Sequence, residues 1–87
     1  MSLDATLARI DADLPTALER LDALLRIPSI STDPAFKAQC RAAAEWLVAD
    51  LASMGVAAEA HDTPGHPMVV GRIDGPAGAP HVLFYGH

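Results

Sequence analysis

Val82, Leu83, Phe84 and Tyr85 form a run with no polar position apart from the Tyr85 hydroxyl, and it constrains the fold more than any other segment. A half-exposed strand alternates apolar and polar residues. A run that is apolar throughout is the pattern of a strand buried on both faces, which needs a covering layer on each side. The rest of the chain must therefore be read for the cover it can supply.

That supply is limited. Hydrophobic residues are 51% of the 87, but 17 of those 44 are alanine, which fills little volume. Only four aromatic side chains of the Phe, Trp or Tyr type are present. A chain of this size buries roughly 60% of the surface its unfolded form exposes, so even a rich core leaves it marginal. Eighty-seven residues make one small domain or a part of a larger one.

The first segment has helical periodicity. Leu3, Leu7, Ile10, Leu14, Leu18, Leu21 and Leu25 recur at steps of three and four, which places them on one helix face. Ser2 can cap its start. Pro15 interrupts the pattern, so a kink or short break is expected near Asp13, with Asp13 available to cap a second piece. Pro28 stops the helix, and Ile27 before it is pushed toward extended geometry. Pro28 to Thr32 reads as a linker of β character. Asp33 then caps a second helix with Pro34 at its first position. Its expected buried stripe is Phe36, Cys40, Ala43, Leu47, Leu51 and Met54, with Gly55 as the left-handed stop and Trp46 off the stripe.

After Gly55 the period becomes strand-like. Val56 to His61 reads as a strand, Asp62 to His66 as a turn, and Met68 to Ile73 as a second strand in which Gly71 marks weakness or close packing. Asp74 to Pro80 is a Gly/Pro loop, and Val82 to Tyr85 is the expected third strand. Fold class is therefore α/β, with two helices and then about three strands. Two helices and two modest strands cover one side of the last strand only. The expectation is that residues 1–87 form an incomplete portion of a larger domain, ending at the C-terminal edge of a sheet. In open α/β sheets binding and catalytic groups sit at that edge.

Charge and cysteine content narrow the class. Six Lys and Arg face eleven Asp and Glu, a net charge of −5, with no basic run. Such a chain repels phosphate backbones, so no nucleic-acid partner is expected. Cys40 is the sole cysteine, which excludes an intrachain disulfide and suits a reducing compartment. The N-terminus lacks the basic and apolar regions of a signal peptide, and no apolar run nears the roughly 20 residues of a membrane span. A cytoplasmic location without membrane partners is expected.

Few residues carry chemistry. His61, His66, His81 and His87 match no common zinc spacing, and no HExxH or CxxC occurs. The first two read as exposed turn residues and His81 as a solvated strand edge. His87 follows an apolar strand and a glycine, where a side chain can enter a crevice. Ser29, Ser31 and Thr32 lack a nucleophile elbow. Cys40 lies on an apolar stripe without a basic partner to activate it, so packing is its expected role. Asp74 to Pro80 lacks the spacing of a phosphate cradle.

Several strings together resemble the N-terminal part of a zinc metallopeptidase family that includes aminoacylase, succinyl-diaminopimelate desuccinylase, glutamate carboxypeptidase and carnosine-type dipeptidases. They are LLRIPSIS (Leu24 to Ser31), AAAEWLVADLASMGV (Ala42 to Val56), GHPMVVGRI (Gly65 to Ile73) and VLFYGH (Val82 to His87). They follow the family's order over nearly the whole chain. The last is the most specific, because the family's strand ends in a His-x-Asp motif, and its FYGH form looks most like the dipeptidase branch. The resemblance makes His87 a ligand of one of two zinc ions. The motif's aspartate would lie two residues further on, where it would orient the histidine.

The resemblance implies a mixed-sheet, helix-flanked catalytic domain with a smaller lid and dimerisation domain, which is absent from this chain. It implies metal-assisted amide hydrolysis, with two zinc ions acidifying a water and a glutamate taking its proton. Substrates would be peptides or acyl-amino acids, and the full-length parent a homodimer. No catalytic residue falls within residues 1–87, so the chain alone is expected to be inactive, its first partner being the remainder of its own catalytic domain. The alternative is a non-enzymatic α/β interaction module, complete at 87 residues, that works through its amphipathic helices. A third possibility is a degenerate family member that keeps the scaffold and serves as a subunit.

Overall fold

The computed structural model describes residues 2–87. Helix α1 spans Leu3–Leu25. It starts where the Ser2 hydroxyl accepts the Ala5 amide at 3.1 Å, and Asp4 in its first turn suits the positive end of the helix dipole. The helix is one, as expected, and it runs through Pro15 without a break. Proline removes one hydrogen bond to the preceding turn, but Ala12, Leu14, Ala17 and Leu18 around it are strong helix formers that carry the helix across the gap. Asp13 caps nothing. Its carboxylate accepts from Arg9 Nε at 2.7 Å.

Asp33 Oδ1 accepts the Ala35 amide at 2.9 Å, and Pro34 opens a 3₁₀ turn over Pro34–Phe36. Helix α2, Lys37–Ser53, follows directly, so the expected cap and proline start the helical run as a tighter turn. Its end is a Schellman stop. Gly55 has φ +82, its amide bonds the Ala52 carbonyl at 3.0 Å, and the Val56 amide bonds the Leu51 carbonyl at 3.1 Å.

Strands β1 (Ala57–His61) and β2 (Met68–Arg72) pair antiparallel, in a register that runs from Ala57 opposite Arg72 to His61 opposite Met68. The hairpin lies against α2. Gly71 makes the approach possible, because a Cβ there would stand 3.0 Å from Val56 Cγ1 and 3.4 Å from Leu51 Cδ1. The molecule is thus α/β, two helices and a two-stranded antiparallel sheet.

The core is small. Among the described residues only Ala43 and Ala44 are buried. Ala43 belongs to the expected stripe and Ala44 does not. Phe36, Cys40, Leu47 and Leu51 are half-buried, and Met54 is exposed. Trp46 is half-buried too. A two-stranded hairpin is too narrow to cover the whole apolar side of α2, so most of the expected stripe is only half-buried.

Two apolar features remain uncovered. The expected third strand does not form. Val82 to Tyr85 pairs with nothing, with Leu83 92% and Phe84 90% exposed. A strand apolar on both faces gains little from the edge of a hairpin, which offers no second layer. His81 accordingly opens no strand. The other feature is the apolar face of α1, whose seven side chains are all exposed. α2 holds α1 chiefly through a bidentate ion pair, with Arg20 Nε 3.0 Å from Asp50 Oδ1 and Nη2 2.6 Å from Oδ2. The hydrogen bond first, and the Asp50 charge second, raise the Arg20 guanidinium above its usual range. No helix among the described residues is long and apolar enough to cross a membrane.

Candidate functional site

His87 follows the unpaired apolar segment. Its Nδ1 lies 2.7 Å from the Tyr85 hydroxyl, with ring centroids 6.2 Å apart. The two residues are two apart in the chain, and the structure brings their side chains together. A hydroxyl that donates to Nδ1 selects the tautomer with the proton on Nε2, and the opposite polarity selects the other, so Tyr85 can hold the ring's orientation.

The implied zinc site can be tested against these side chains. A catalytic zinc commonly takes three protein ligands. Among the described residues no three His, Cys, Asp or Glu side chains gather where they could hold a metal ion. His87 can serve as one ligand, and the residues present do not make a centre. No step of a metal-dependent reaction can therefore be assigned to side chains of this chain.

The other histidines separate. His61 ends β1, exposed, 3.6 Å from the Glu59 carboxylate. His81 is exposed. His66 departs from its expected role as an exposed turn residue. It is half-buried, and its Nε2 lies 2.7 Å from the Ser31 carbonyl. A carbonyl only accepts, so Nε2 carries the proton, and Nδ1 is left buried without a partner. The Thr63 hydroxyl donates to the His66 carbonyl at 2.6 Å and accepts the Gly65 amide at 3.0 Å, which shapes the turn that presents the ring.

His66 thereby latches the β1–β2 turn to the linker after α1, across 35 residues of sequence. No local signal announces such a contact. Replacing His66 by alanine is expected to cost about 1 kcal/mol, the usual net worth of one such bond, and to free the linker. Faster amide exchange at Ser29 to Thr32, with α2 unchanged, is the measurement that checks it.

Comparison with known proteins adds no identity. The chain matches no protein-family model, no curated protein and no solved structure.

One cleft lies away from His87. It encloses about 630 Å³ between the start of α2 and the turn after β1, with Lys37, Arg41, Asp62, His66, Pro34 and Pro67 in its wall. Arg41 Nη1 bonds Asp62 Oδ1 at 2.6 Å, so its charge is already engaged. Among the described residues Lys37 is the one Lys or Arg without a carboxylate partner. An exposed ammonium on a flexible stem supplies a point charge and no fixed geometry. The cleft holds no nucleophile–base pair. Cys40 is a free, half-buried thiol on α2.

Proposed function

We propose that this chain forms the N-terminal part of the catalytic domain of a zinc-dependent metallopeptidase, a dipeptidase or related exopeptidase acting on peptides or acyl-amino acids. The observation that carries the proposal is the segment Val82 to His87. Four apolar side chains, 65% to 92% exposed, lead into a glycine and an imidazole held by Tyr85. Exposed apolar runs of this kind mark surface that another element covers. If further strands and helices of the same domain cover it, Val82 to Tyr85 becomes an interior strand and His87 stands at its C-terminal end, where α/β sheets place their sites. The strings that resemble the zinc-peptidase family agree with this placement. His87 would supply one zinc ligand, and the remaining ligands would come from the rest of the domain. A cytoplasmic homodimer joined through a lid domain belongs to the same proposal.

Two measurements test it. The purified 87-residue chain, supplied with zinc and dipeptides, is expected to show no hydrolysis above buffer, because one imidazole does not hold a catalytic metal. A chain that continues beyond His87 into an aspartate two residues on is expected to hydrolyse dipeptides and to lose activity with a chelator. His87→Ala there is expected to lower kcat/KM by about 100-fold or more, in line with loss of a metal ligand. Full activity of that variant would exclude the assignment.

The exposed face of α1 favours the alternative, a non-enzymatic interaction module. The two differ in the same assay, since a module shows no chelator-sensitive hydrolysis at any chain length.

A further inference from the structure

The apolar face of α1 has a symmetry that its surroundings do not explain. Leu3, Leu14 and Leu25 are spaced by 11 residues, as are Leu7 with Leu18 and Ile10 with Leu21. An 11-residue repeat spans three helical turns at about 3.67 residues each, so the stripe runs nearly straight along the helix. The stripe also reads the same in both directions. Reversed about Leu14, Leu3 falls on Leu25, Leu7 on Leu21 and Ile10 on Leu18. All seven side chains are between 49% and 72% exposed. α2 meets this helix through Arg20, which lies off the stripe.

From this palindrome we infer that α1 pairs with α1 of a second copy, antiparallel, about a two-fold axis at Leu14. A two-fold interface requires a patch that complements itself, and a palindromic stripe meets that requirement position by position. Leu3 then faces Leu25 of the other copy, Leu7 faces Leu21, Ile10 faces Leu18, and Leu14 meets its own equivalent.

Charge selects the orientation. Between Leu3 and Leu25 the helix carries five acids and two arginines. A parallel pair in register sets Asp4, Asp11 and Asp22 beside their own copies. An antiparallel pair brings Asp4 near Arg26 of the other copy at both ends and opposes the two helix dipoles.

Size sets the strength. A helix of 23 residues is about 34 Å long, and a stripe about 10 Å wide on each copy gives roughly 700 Å² together. Stable specific interfaces bury at least about 1,200 Å². The pair is therefore a reversible dimer that forms at high concentration. It involves neither His87 nor the zinc-peptidase proposal and stands or falls without them.

Sedimentation equilibrium of the 87-residue chain from micromolar to millimolar concentration tests the inference. A monomer–dimer equilibrium is expected. Leu14→Glu, which places two like charges at the axis, is expected to weaken it by about 100-fold or more. Circular dichroism should show that variant to be as helical as the parent, since the position is exposed. Leu83→Lys should leave the dimer unchanged. In a Cys40→Ala background, mixing Leu7→Cys with Leu21→Cys chains under oxidation should give mainly the mixed disulfide. A chain monomeric at millimolar concentration would overturn the inference. So would association that survives Leu14→Glu, association abolished by Leu83→Lys, or disulfides mainly between like chains.

Discussion

Replacing Gly71 by valine is expected to push the hairpin off α2 and lower the urea midpoint, at a cost of about 1–3 kcal/mol. The backbone at Gly71 needs no left-handed conformation, since only Gly55 and Gly78 have positive φ. The cost is therefore one of space. A Cβ alone would lie 3.0 Å from Val56 Cγ1, 3.4 Å from Leu51 Cδ1 and 3.6 Å from Ala58 Cβ. The first two are side-chain ends that can yield, so Gly71→Ala should cost less than the valine variant. Two further methyl groups add bulk beside these contacts and should widen the gap between β2 and α2. Gly55→Ala supplies the contrast. A Cβ there meets nothing within 4 Å, yet φ is +82, so its cost of about 1 kcal/mol is pure backbone strain. Urea titration of the three variants checks the ordering, and a Gly71→Val chain with the parent midpoint would refute the close approach.

Ala44→Asp is expected to be the most damaging single change, at about 3 kcal/mol or more, since it buries an unpaired charge. Ala44 is 5% exposed, the most buried side chain among those described. Against a total stability of about 5–15 kcal/mol for ordinary domains, and less for one this small, such a loss should leave α2 and the hairpin unpacked at neutral pH. The pH dependence follows from sign. Burial raises the introduced carboxyl's folded-state pKa above its unfolded value, so the penalty is full at high pH and fades as pH falls through the folded pKa toward the unfolded one. The gap between variant and parent should therefore narrow from pH 7 toward pH 4. Ala49→Asp, on an exposed position of the same helix, should change little at either pH. Denaturant midpoints at the two pH values decide it, and equal effects at residues 44 and 49 would show that the core lies elsewhere.

These two positions show how far local pattern reaches. Ser2, Asp33 and Gly55 act as caps and stop because each acts on backbone groups within four residues, where sequence spacing is spatial distance. The strands from residue 57 and residue 68 were legible for the same reason, as alternation between turn signals. Pro15 does not break the helix, since the cost of one missing bond is local and the surrounding helix formers outweigh it. Val82 to Tyr85 misled in the other direction. Its strand pattern is plain, but a strand is a pairing, and the hairpin gives it no partner.

The candidate site divides in the same way. His87 could be singled out by its place after an apolar run, and its contact with Tyr85 is local, two residues away in the chain. The His66 latch to Ser31 and the cleft beside Lys37 join segments that only folding brings together, and no spacing in the sequence encodes them.

The alternating and helical periods by themselves determined the order of two helices and two strands, because backbone hydrogen bonding and side-chain direction repeat over a few residues. Only the tertiary structure decided which apolar residues are covered. The run from Val82 to Tyr85, with which the chain most constrains its fold, and the leucine face of α1 both lie open. Burial depends on what stands opposite a side chain, and two helices with one hairpin oppose only part of the apolar surface.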